Sequence, residues 1–232
     1  MEKKSEFAID INPMREKVRD ELQRMIVNQE IKPGEKIVET EWAAKLGVSK
    51  APIREAIREL EVMGLVDTIS YKGTFVRKLT PLDIAHVAVV RGSLEATAAK
   101  YMINNITEEE LIEFEKLYKA LHTLALEKDE EEYYRVDLEF HKRIVLLSGN
   151  AVLYRLWRML NVDQWSKLSS KLAHKNLRDY AAIHAEIFQS IKKRNGEAAV
   201  LAIQKHFDTI YKDSIKEYER TKNNNTDENV LD

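Results

Sequence analysis

The residues best suited to hold a metal ion in this 232-residue sequence are one aspartate and three histidines of the C-terminal half. Asp137 and His141 are four residues apart, so a helix would place the carboxylate and the imidazole on one face. His184 and His206 follow in otherwise apolar stretches. Three imidazoles and a carboxylate from three facing helices would bind a divalent first-row metal and leave positions for water or an anion.

The alternative is that these histidines belong to the core. A histidine on an apolar helix face is more often a hydrogen-bonded core residue, and spacing alone does not show that the three converge. The chain has no cysteine, which excludes thiolate ligands and disulfides. A nitrogen and oxygen site would suit zinc, nickel, manganese or iron. The other histidines, His86, His122 and His174, are predicted to be surface or packing residues.

Arg91 is the cation whose surroundings are most apolar, and it has two interpretations. It can form an exposed pair with Glu95, four residues on, which stabilises a helix by only a few tenths of a kcal/mol. It can instead point into a helical bundle, where the guanidinium would bind the carboxylate of a small effector through two parallel hydrogen bonds.

A second pattern, between residues 50 and 63, is typical of DNA binding. The spacing predicts a helix with one apolar face, formed by Ile53, Ile57 and Leu60, and one cationic face, formed by Lys50, Arg54 and Arg58. A helix that lies in a major groove needs both faces. The alternative is an ordinary surface helix with basic side chains.

The elements around this helix complete a winged helix-turn-helix. A helix is predicted from Pro13 to about Asn28, and a short one over Glu39–Leu46 that ends at Gly47. After Gly64, two β-prone runs flank a basic tip at Lys72 and Gly73, which predicts a small β-hairpin wing. Residues 1–80 are therefore predicted to bind DNA.

Only helices are predicted after Pro81, so the fold class is mainly α. They form an antiparallel six-helix bundle over 81–220, and the polar residues 221–232 are predicted to be disordered. The predicted helices cover approximately 81–104, 107–127, 129–147, 150–174, 176–194 and 196–220.

Composition indicates a soluble globular protein, with 44% hydrophobic and 33% charged residues. The net charge is −2, so DNA binding requires that positive charge be concentrated on one face. The first ten residues lack the apolar core of a signal peptide, and no apolar run approaches the roughly 18 residues that span a bilayer. We therefore expect a cytoplasmic protein that does not bind membranes.

The N-terminal part resembles the winged helix-turn-helix of GntR-superfamily repressors over Ile37–Leu60, Gly64–Val66 and Gly73–Val76. The resemblance implies that Ser49, Lys50, Ala51 and Arg54 contact DNA, together with the wing tip at Lys72 and Gly73. Family members often carry arginine where this chain has Thr40 and Lys50. Lysine is a point charge without a fork, so Arg54 is the best candidate for reading guanine, with Arg58 on the same face.

The C-terminal part is similar to the FCD ligand-binding domain of the FadR-type branch, in its metal-containing form. That form carries Asp-x-x-x-His and two later histidines, and Asp137, His141, His184 and His206 match this order. The resemblance implies a divalent metal in an effector pocket, with Arg91 binding a small carboxylate. We also expect a homodimer, because a symmetric dimer presents two recognition helices to the half-sites of a palindromic operator.

Two other functions use the same residues. One is a mononuclear metalloenzyme on a helical bundle, for which Glu139 and Glu186 are the only candidate general bases. The sequence has neither the Glu-x-x-His pairs of di-iron bundles nor a His-Glu-x-x-His motif. The other is a regulator whose metal is purely structural. We predict a DNA-binding transcriptional regulator that acts as a repressor, and not an enzyme.

Overall fold

Helices α1 (Pro13–Val27), α2 (Glu39–Leu46) and α3 (Lys50–Val62) dominate the first of two compact units, which divide between Leu79 and Thr80. The computed structural model describes residues 13–160 and 177–228. Gly47 ends α2 at φ 66°, in the left-handed region that glycine adopts without strain, and so turns the chain into α3. The helix-turn-helix follows directly from this turn.

A small antiparallel sheet completes the first unit. It contains β1 (Lys36–Ile37), β2 (Val66–Ile69) and β3 (Gly73–Val76), with β3 in the middle. The predicted hairpin is β2 and β3, which pair from Val66 opposite Val76 to Ile69 opposite Gly73. The sequence did not predict β1, because two residues form a strand here only by pairing with the distant β3.

One apolar core holds these elements together. Its members come from all three helices and from the sheet, and the apolar face of α3 contributes Ile53, Ala56, Ile57 and Leu60. On the opposite side of the α1–α3 contact, Arg15 and Arg19 of α1 both form ion pairs with Glu59 of α3. These contacts fix α3 so that its other face points to solvent.

The second unit is helical throughout its described residues. Its helices are α4 (Pro81–Asn105), α5 (Glu108–Glu127), α6 (Glu130–Leu147), α7 (Ala151–Met159), α8 (Leu177–Lys192) and α9 (Gly196–Glu228). Thr80 and Thr107 each form a capping box with the acidic residue three positions on, and Asp129 and Asn150 cap α6 and α7. The starts of the helices were predictable from these caps.

The ends of two predicted helices, α9 and α7, do not match the helices that the structure describes. The last predicted helix ended near residue 220, but α9 continues to Glu228, so the predicted end of this helix was wrong. No glycine or proline follows Gly196 to end the helix, and Glu217 pairs with Arg220 one turn on. The predicted extension of α7 to residue 174 lies outside the described residues, as does His174.

The longest interface in this unit is that between α4 and α9. Gly92 lies at its closest point, where a Cβ atom added to the glycine would be 2.8 Å from Cβ of Phe207. Phe207 is next to His206 in the sequence, and Arg91 is next to Gly92. The close approach of the two backbones therefore places the candidate site residues of α4 and α9 side by side.

Candidate metal centre and DNA-binding surface

The three histidines predicted to bind metal converge in the middle of the helical unit. His141 comes from α6, His184 from α8 and His206 from α9, and all three are buried. One ring nitrogen from each lies within 4.8 Å of the other two. Nε2 of His141 is 3.2 Å from Nε2 of His184.

Asp137 lies one helical turn before His141 and faces the same point. Its Oδ1 is 2.9 Å from Nε2 of His184 and 3.8 Å from Nε2 of His141. Burial alone would raise the pKa of Asp137, but His141 and His184 outweigh that effect and hold the pKa below its usual range. The carboxylate is therefore ionised although it is almost fully enclosed.

The outer ring nitrogens show which atoms face inward. Nδ1 of His184 donates to the backbone oxygen of Tyr180 at 2.8 Å, and Nδ1 of His141 donates to the carboxylate of Glu95 at 2.5 Å. A neutral imidazole with a proton on Nδ1 has a lone pair on Nε2. With this tautomer, both Nε2 atoms and the carboxylate of Asp137 point at one small volume, where a divalent cation would be bound favourably.

His206 provides the third imidazole. Burial lowers its pKa well below the ordinary value for histidine, so the ring is neutral at physiological pH. Its Nδ1 is buried and has no hydrogen-bond partner in the part of the chain that the structure describes. An orphaned buried nitrogen is unusual in a folded protein, and metal ligation would satisfy it. This donor set fits a divalent cation.

A buried ion pair on α4 supports the cluster. Arg91 donates from Nε to Oε1 of Glu95 at 2.5 Å, and the indole of Trp157 in α7 donates to the same oxygen at 2.8 Å. Arg91 also stacks on Phe207, with its guanidinium carbon 5.0 Å from the ring centre. Burial would raise the pKa of Glu95, but Arg91 and His141 lower it to about 2.

The predicted DNA-binding residues lie together on the outer face of α3. Ser49, Lys50, Ala51, Arg54 and Arg58 are all exposed, while Ile53 and Ile57 between them are buried. Ser49 is the N-cap of α3 by backbone geometry, but its side chain makes no capping hydrogen bond. Its hydroxyl is therefore left at the surface.

The wing is a narrow projection from the same unit. The tip between β2 and β3 is Ser70–Lys72; Tyr71 is fully exposed there, with φ 64°, and Lys72 is exposed beside it. Gly73 starts β3 at φ 109°, which a residue with a side chain rarely adopts, and an added Cβ would be 2.7 Å from Cε of Lys36. The glycine is therefore required by the hairpin itself.

Two family descriptions match the chain. Residues 14–76 match "Bacterial regulatory proteins, gntR family", and residues 86–209 match the FCD domain. The chain belongs to the GntR family. It falls in the FadR-like branch, in which the winged helix-turn-helix is followed by this helical domain.

Similar GntR-family proteins cover most of the chain. The uncharacterized HTH-type transcriptional regulator YdhC of Bacillus subtilis is 33% identical over 193 residues, which is 81% of this chain and 85% of YdhC. A probable D-xylose utilization operon transcriptional repressor of Paenarthrobacter nicotinovorans is 30% identical, covering 82% of this chain and 83% of its own length. The chain is therefore a bacterial transcriptional regulator that binds DNA, and not an enzyme.

Solved structures agree with the GntR fold. McbR/YncC of E. coli superposes with a TM-score of 0.68 at 18% identity, over 88% of this chain and 98% of that one. A GntR regulator from Rhodococcus sp. RHA1 gives the same TM-score at 21% identity, with the same coverage. Within residues 13–160 and 177–228, no helix is both long and apolar enough to cross a membrane.

Two residues that support the histidine cluster of this GntR protein were missed in the sequence. Glu95 was considered only as a surface partner of Arg91, yet its side chain is fully buried and also holds His141. Trp157 donates to Glu95 from another helix. The i, i+4 spacing with Arg91 and the apolar residues around both were the only signals for Glu95, and nothing in the sequence indicated Trp157.

Proposed function

We propose that this GntR regulator is a repressor whose operator binding responds to a small carboxylate effector at a metal held by Asp137, His141, His184 and His206. The observation that supports this proposal most directly is that Nε2 of His141, Nε2 of His184 and the carboxylate of Asp137 converge on one small buried volume. A divalent cation at this point would neutralise the carboxylate and be bound by the ring nitrogens. Zinc, nickel, manganese or iron would each accept three imidazoles and a carboxylate.

The charges around the cluster favour an anionic effector. Arg91 is positive, Glu95 and Asp137 are negative, and the imidazoles bind metal in their neutral form. A divalent cation would therefore leave these groups with one net positive charge. A metal with only four protein ligands keeps open positions for a carboxylate. Arg91, which lies close enough to act on the pKa of Asp137, adds attraction from the side of α4.

Elemental analysis tests the metal site. Protein purified without a nickel column should contain one metal ion per chain, and the double variant His184→Ala/His206→Ala should contain none. A matched control is His86→Ala/His122→Ala, which removes two exposed imidazoles and should keep the metal. If wild type and the double variant both stay metal-free after incubation with each candidate ion, the site is only core and the effector model falls with it.

A purely structural metal is the second candidate, because the three histidine ligands are buried in the helical unit. Removal of the metal by a chelator has different consequences in the two cases. A structural metal would be needed for folding, so its removal would abolish the cooperative unfolding of the helical unit. A sensing metal would leave the helices folded but would remove the thermal shift given by acetate, lactate or citrate. Circular dichroism and thermal shift on the same chelated sample separate them.

For the DNA, we propose that residues 1–80 bind the operator and residues 81–220 bind effector and dimerise. The residues that would enter the major groove are Ser49, Lys50, Ala51, Arg54 and Arg58. The wing tip Lys72–Gly73 would contact the flanking DNA backbone. The exposure of this row on a helix whose other face is core supports the assignment. A duplex selected by the wild type from a random pool supplies the operator for the tests.

Arg54→Ala should then lose roughly 5- to 150-fold in discrimination at one G·C pair, the value of one bidentate contact. Lys72→Ala should weaken binding to all duplexes alike and lower the slope of log K against log salt by about 0.9. Lys119→Ala, in the helical unit, is the charge-matched control. Full discrimination by Arg54→Ala would mean that α3 does not read the bases through this residue.

A further inference from the structure

Arg54, the proposed guanine reader, is already engaged by a carboxylate on the neighbouring helix. Nε of Arg54 is 3.0 Å from Oε1 of Glu39, and Nη2 is 2.8 Å from Oε2. Two parallel hydrogen bonds of this kind fix the plane of the guanidinium as well as its position. Glu39 is the first residue of α2, so the pair joins the two helices of the helix-turn-helix.

The stability of the fold does not require this pair. The side chains of Arg54 and Glu39 are 56% and 33% exposed, and exposed ion pairs contribute little to folding. What the pair does limit is the motion of Arg54, whose long side chain otherwise has many rotamers. An arginine that is fixed before DNA arrives loses less freedom on binding.

The edges of the guanidinium decide what Arg54 can still bind. Glu39 occupies Nε and one N–H of Nη2, which is the side edge of the group. Nη1 and the second N–H of Nη2 form the end edge, and Nη1 has no hydrogen bond to any residue that the structure describes. Two N–H groups side by side match O6 and N7 of guanine in the major groove.

The charge of Glu39 also acts on the rest of the cationic row. The hydrogen bonds from Arg54 lower the pKa of Glu39, and Lys50 and Arg58 lower it further, so the carboxylate is ionised and lies among all three cations of α3. A negative charge at that place opposes close contact with phosphates. It therefore weakens binding to any duplex on which Arg54 cannot make its base contact.

We propose that Glu39 is the positioning residue for base reading. It would hold the side edge of Arg54 so that the end edge faces a guanine, and its charge would disfavour sequence-independent binding. The inference rests on the proposed role of Arg54. It assigns to Glu39 a share of the specificity for one G·C base pair, although Glu39 itself need not touch the DNA.

The experiment compares Glu39→Ala and Glu39→Gln with the wild type on three duplexes. These are the duplex selected by the wild type from a random pool, the same duplex with 7-deazaguanine, which lacks the N7 acceptor, at each guanine in turn, and an unrelated duplex. Glu41→Gln is the matched control, because it removes one exposed carboxylate from the first turn of the same helix. Each affinity is measured at several salt concentrations.

We expect Glu39→Ala to bind the unrelated duplex more tightly than the wild type, with a salt slope steeper by about 0.9, because Arg54 becomes available to a phosphate. Discrimination at one guanine should fall roughly 5- to 150-fold, as for loss of a bidentate contact. Glu39→Gln keeps one hydrogen-bond acceptor, so its discrimination should lie between that of Glu39→Ala and that of the wild type. Glu41→Gln should keep full discrimination. A variant that had merely unfolded would lose affinity for every duplex, which separates misfolding from loss of positioning.

The outcomes distinguish this inference from the proposed function. If Arg54→Ala loses discrimination while Glu39→Ala keeps it, Arg54 reads the base without help and the role of Glu39 is overturned. If Arg54→Ala itself keeps discrimination, the recognition residue was assigned wrongly. If both lose it, the double variant Glu39→Ala/Arg54→Ala should be no worse than Arg54→Ala alone, because the two side chains act through one contact.

Discussion

At the scale of single residues, Glu95 connects Arg91 of α4 to the cluster of three histidines. Its carboxylate accepts hydrogen bonds from Arg91 and Trp157 through Oε1 and from His141 through Oε2. Replacing it by glutamine keeps the shape but leaves the buried cation of Arg91 without a counter-charge. Removal of one partner from a buried pair costs about 3–5 kcal/mol.

We therefore expect Glu95→Gln to lower the free energy of unfolding of the helical unit by that amount in urea titrations. Metal affinity should fall about 10- to 100-fold, because Glu95 orients His141. Glu113→Gln is the control; it breaks a solvent-exposed pair with Lys116 and should change stability by less than about 0.5 kcal/mol. Equal effects of the two substitutions would contradict a special role for Glu95.

Tyr133 is a second buried polar residue near the histidine cluster. It is 1% exposed, and its hydroxyl has no hydrogen-bond partner among the described residues. It precedes Asp137 by one turn of α6, and the charge of Asp137 contributes to raising its pKa, after burial. A buried hydroxyl without a partner costs about 1–3 kcal/mol, and a bound effector could satisfy it.

Tyr133→Phe should consequently stabilise the ligand-free protein by about 1 kcal/mol in urea, yet reduce the thermal shift that a carboxylate effector produces. Opposite signs for stability and response are the signature of a group kept for binding. Tyr101→Phe, at a half-exposed position of α4, should change neither. A stabilised Tyr133→Phe protein with an unaltered effector response would show that the hydroxyl serves no ligand.

At the scale of elements, the contact between α4 and α9 sets the distance between the helix that carries Arg91 and the helix that carries His206. Gly92 allows it, because Phe207 leaves no room for a Cβ atom. Alanine favours a helix interior by about 1 kcal/mol over glycine. Against this, the nearest atoms are Cβ and the ring of Phe207, which cannot move aside without moving α9, and overpacking of this kind costs about 1–3 kcal/mol.

The cost of the clash with Phe207 should exceed the gain in helix propensity, so Gly92→Ala is expected to be destabilising in urea titrations. Because Phe207 adjoins His206, the substitution should weaken metal binding as well. Gly196→Ala offers the comparison within the same pair of helices. An added Cβ there has its nearest neighbour, Cδ1 of Ile103, at 4.0 Å, so the change should be neutral or slightly stabilising. If Gly92→Ala stabilises the protein, the two helices are not held at contact distance.

The elements also show why some features were predictable and others were not. The bounds of α2, Glu39–Leu46, were predicted correctly, because Gly47 and the apolar spacing are local signals. Strand β1 and the partners of Glu95 were missed, because both depend on residues far away in the sequence. The four candidate metal ligands were named from their spacing and from family resemblance, whereas their approach to one another is a property of tertiary packing.

At the scale of the whole molecule, specificity requires more than one recognition helix. One helix in a major groove reads a few base pairs, and such short sequences recur throughout a genome. With a net charge of −2, the chain does not gain affinity from its overall charge. Two copies related by a twofold axis would double both the base contacts and the phosphate contacts, which is why we expect a homodimer on a palindromic operator.

Sedimentation of the full chain with a labelled duplex tests this expectation. Two chains should bind per selected palindrome, and a duplex with one half-site replaced should bind at least 100-fold more weakly. Inserting five base pairs between the half-sites turns one of them to the opposite side of the duplex, so affinity should fall to that of the single half-site. Inserting five base pairs into unrelated flanking sequence is the control and should have no effect. A complex of one chain per duplex, indifferent to the central insertion, would mean that the protein binds its operator as a monomer.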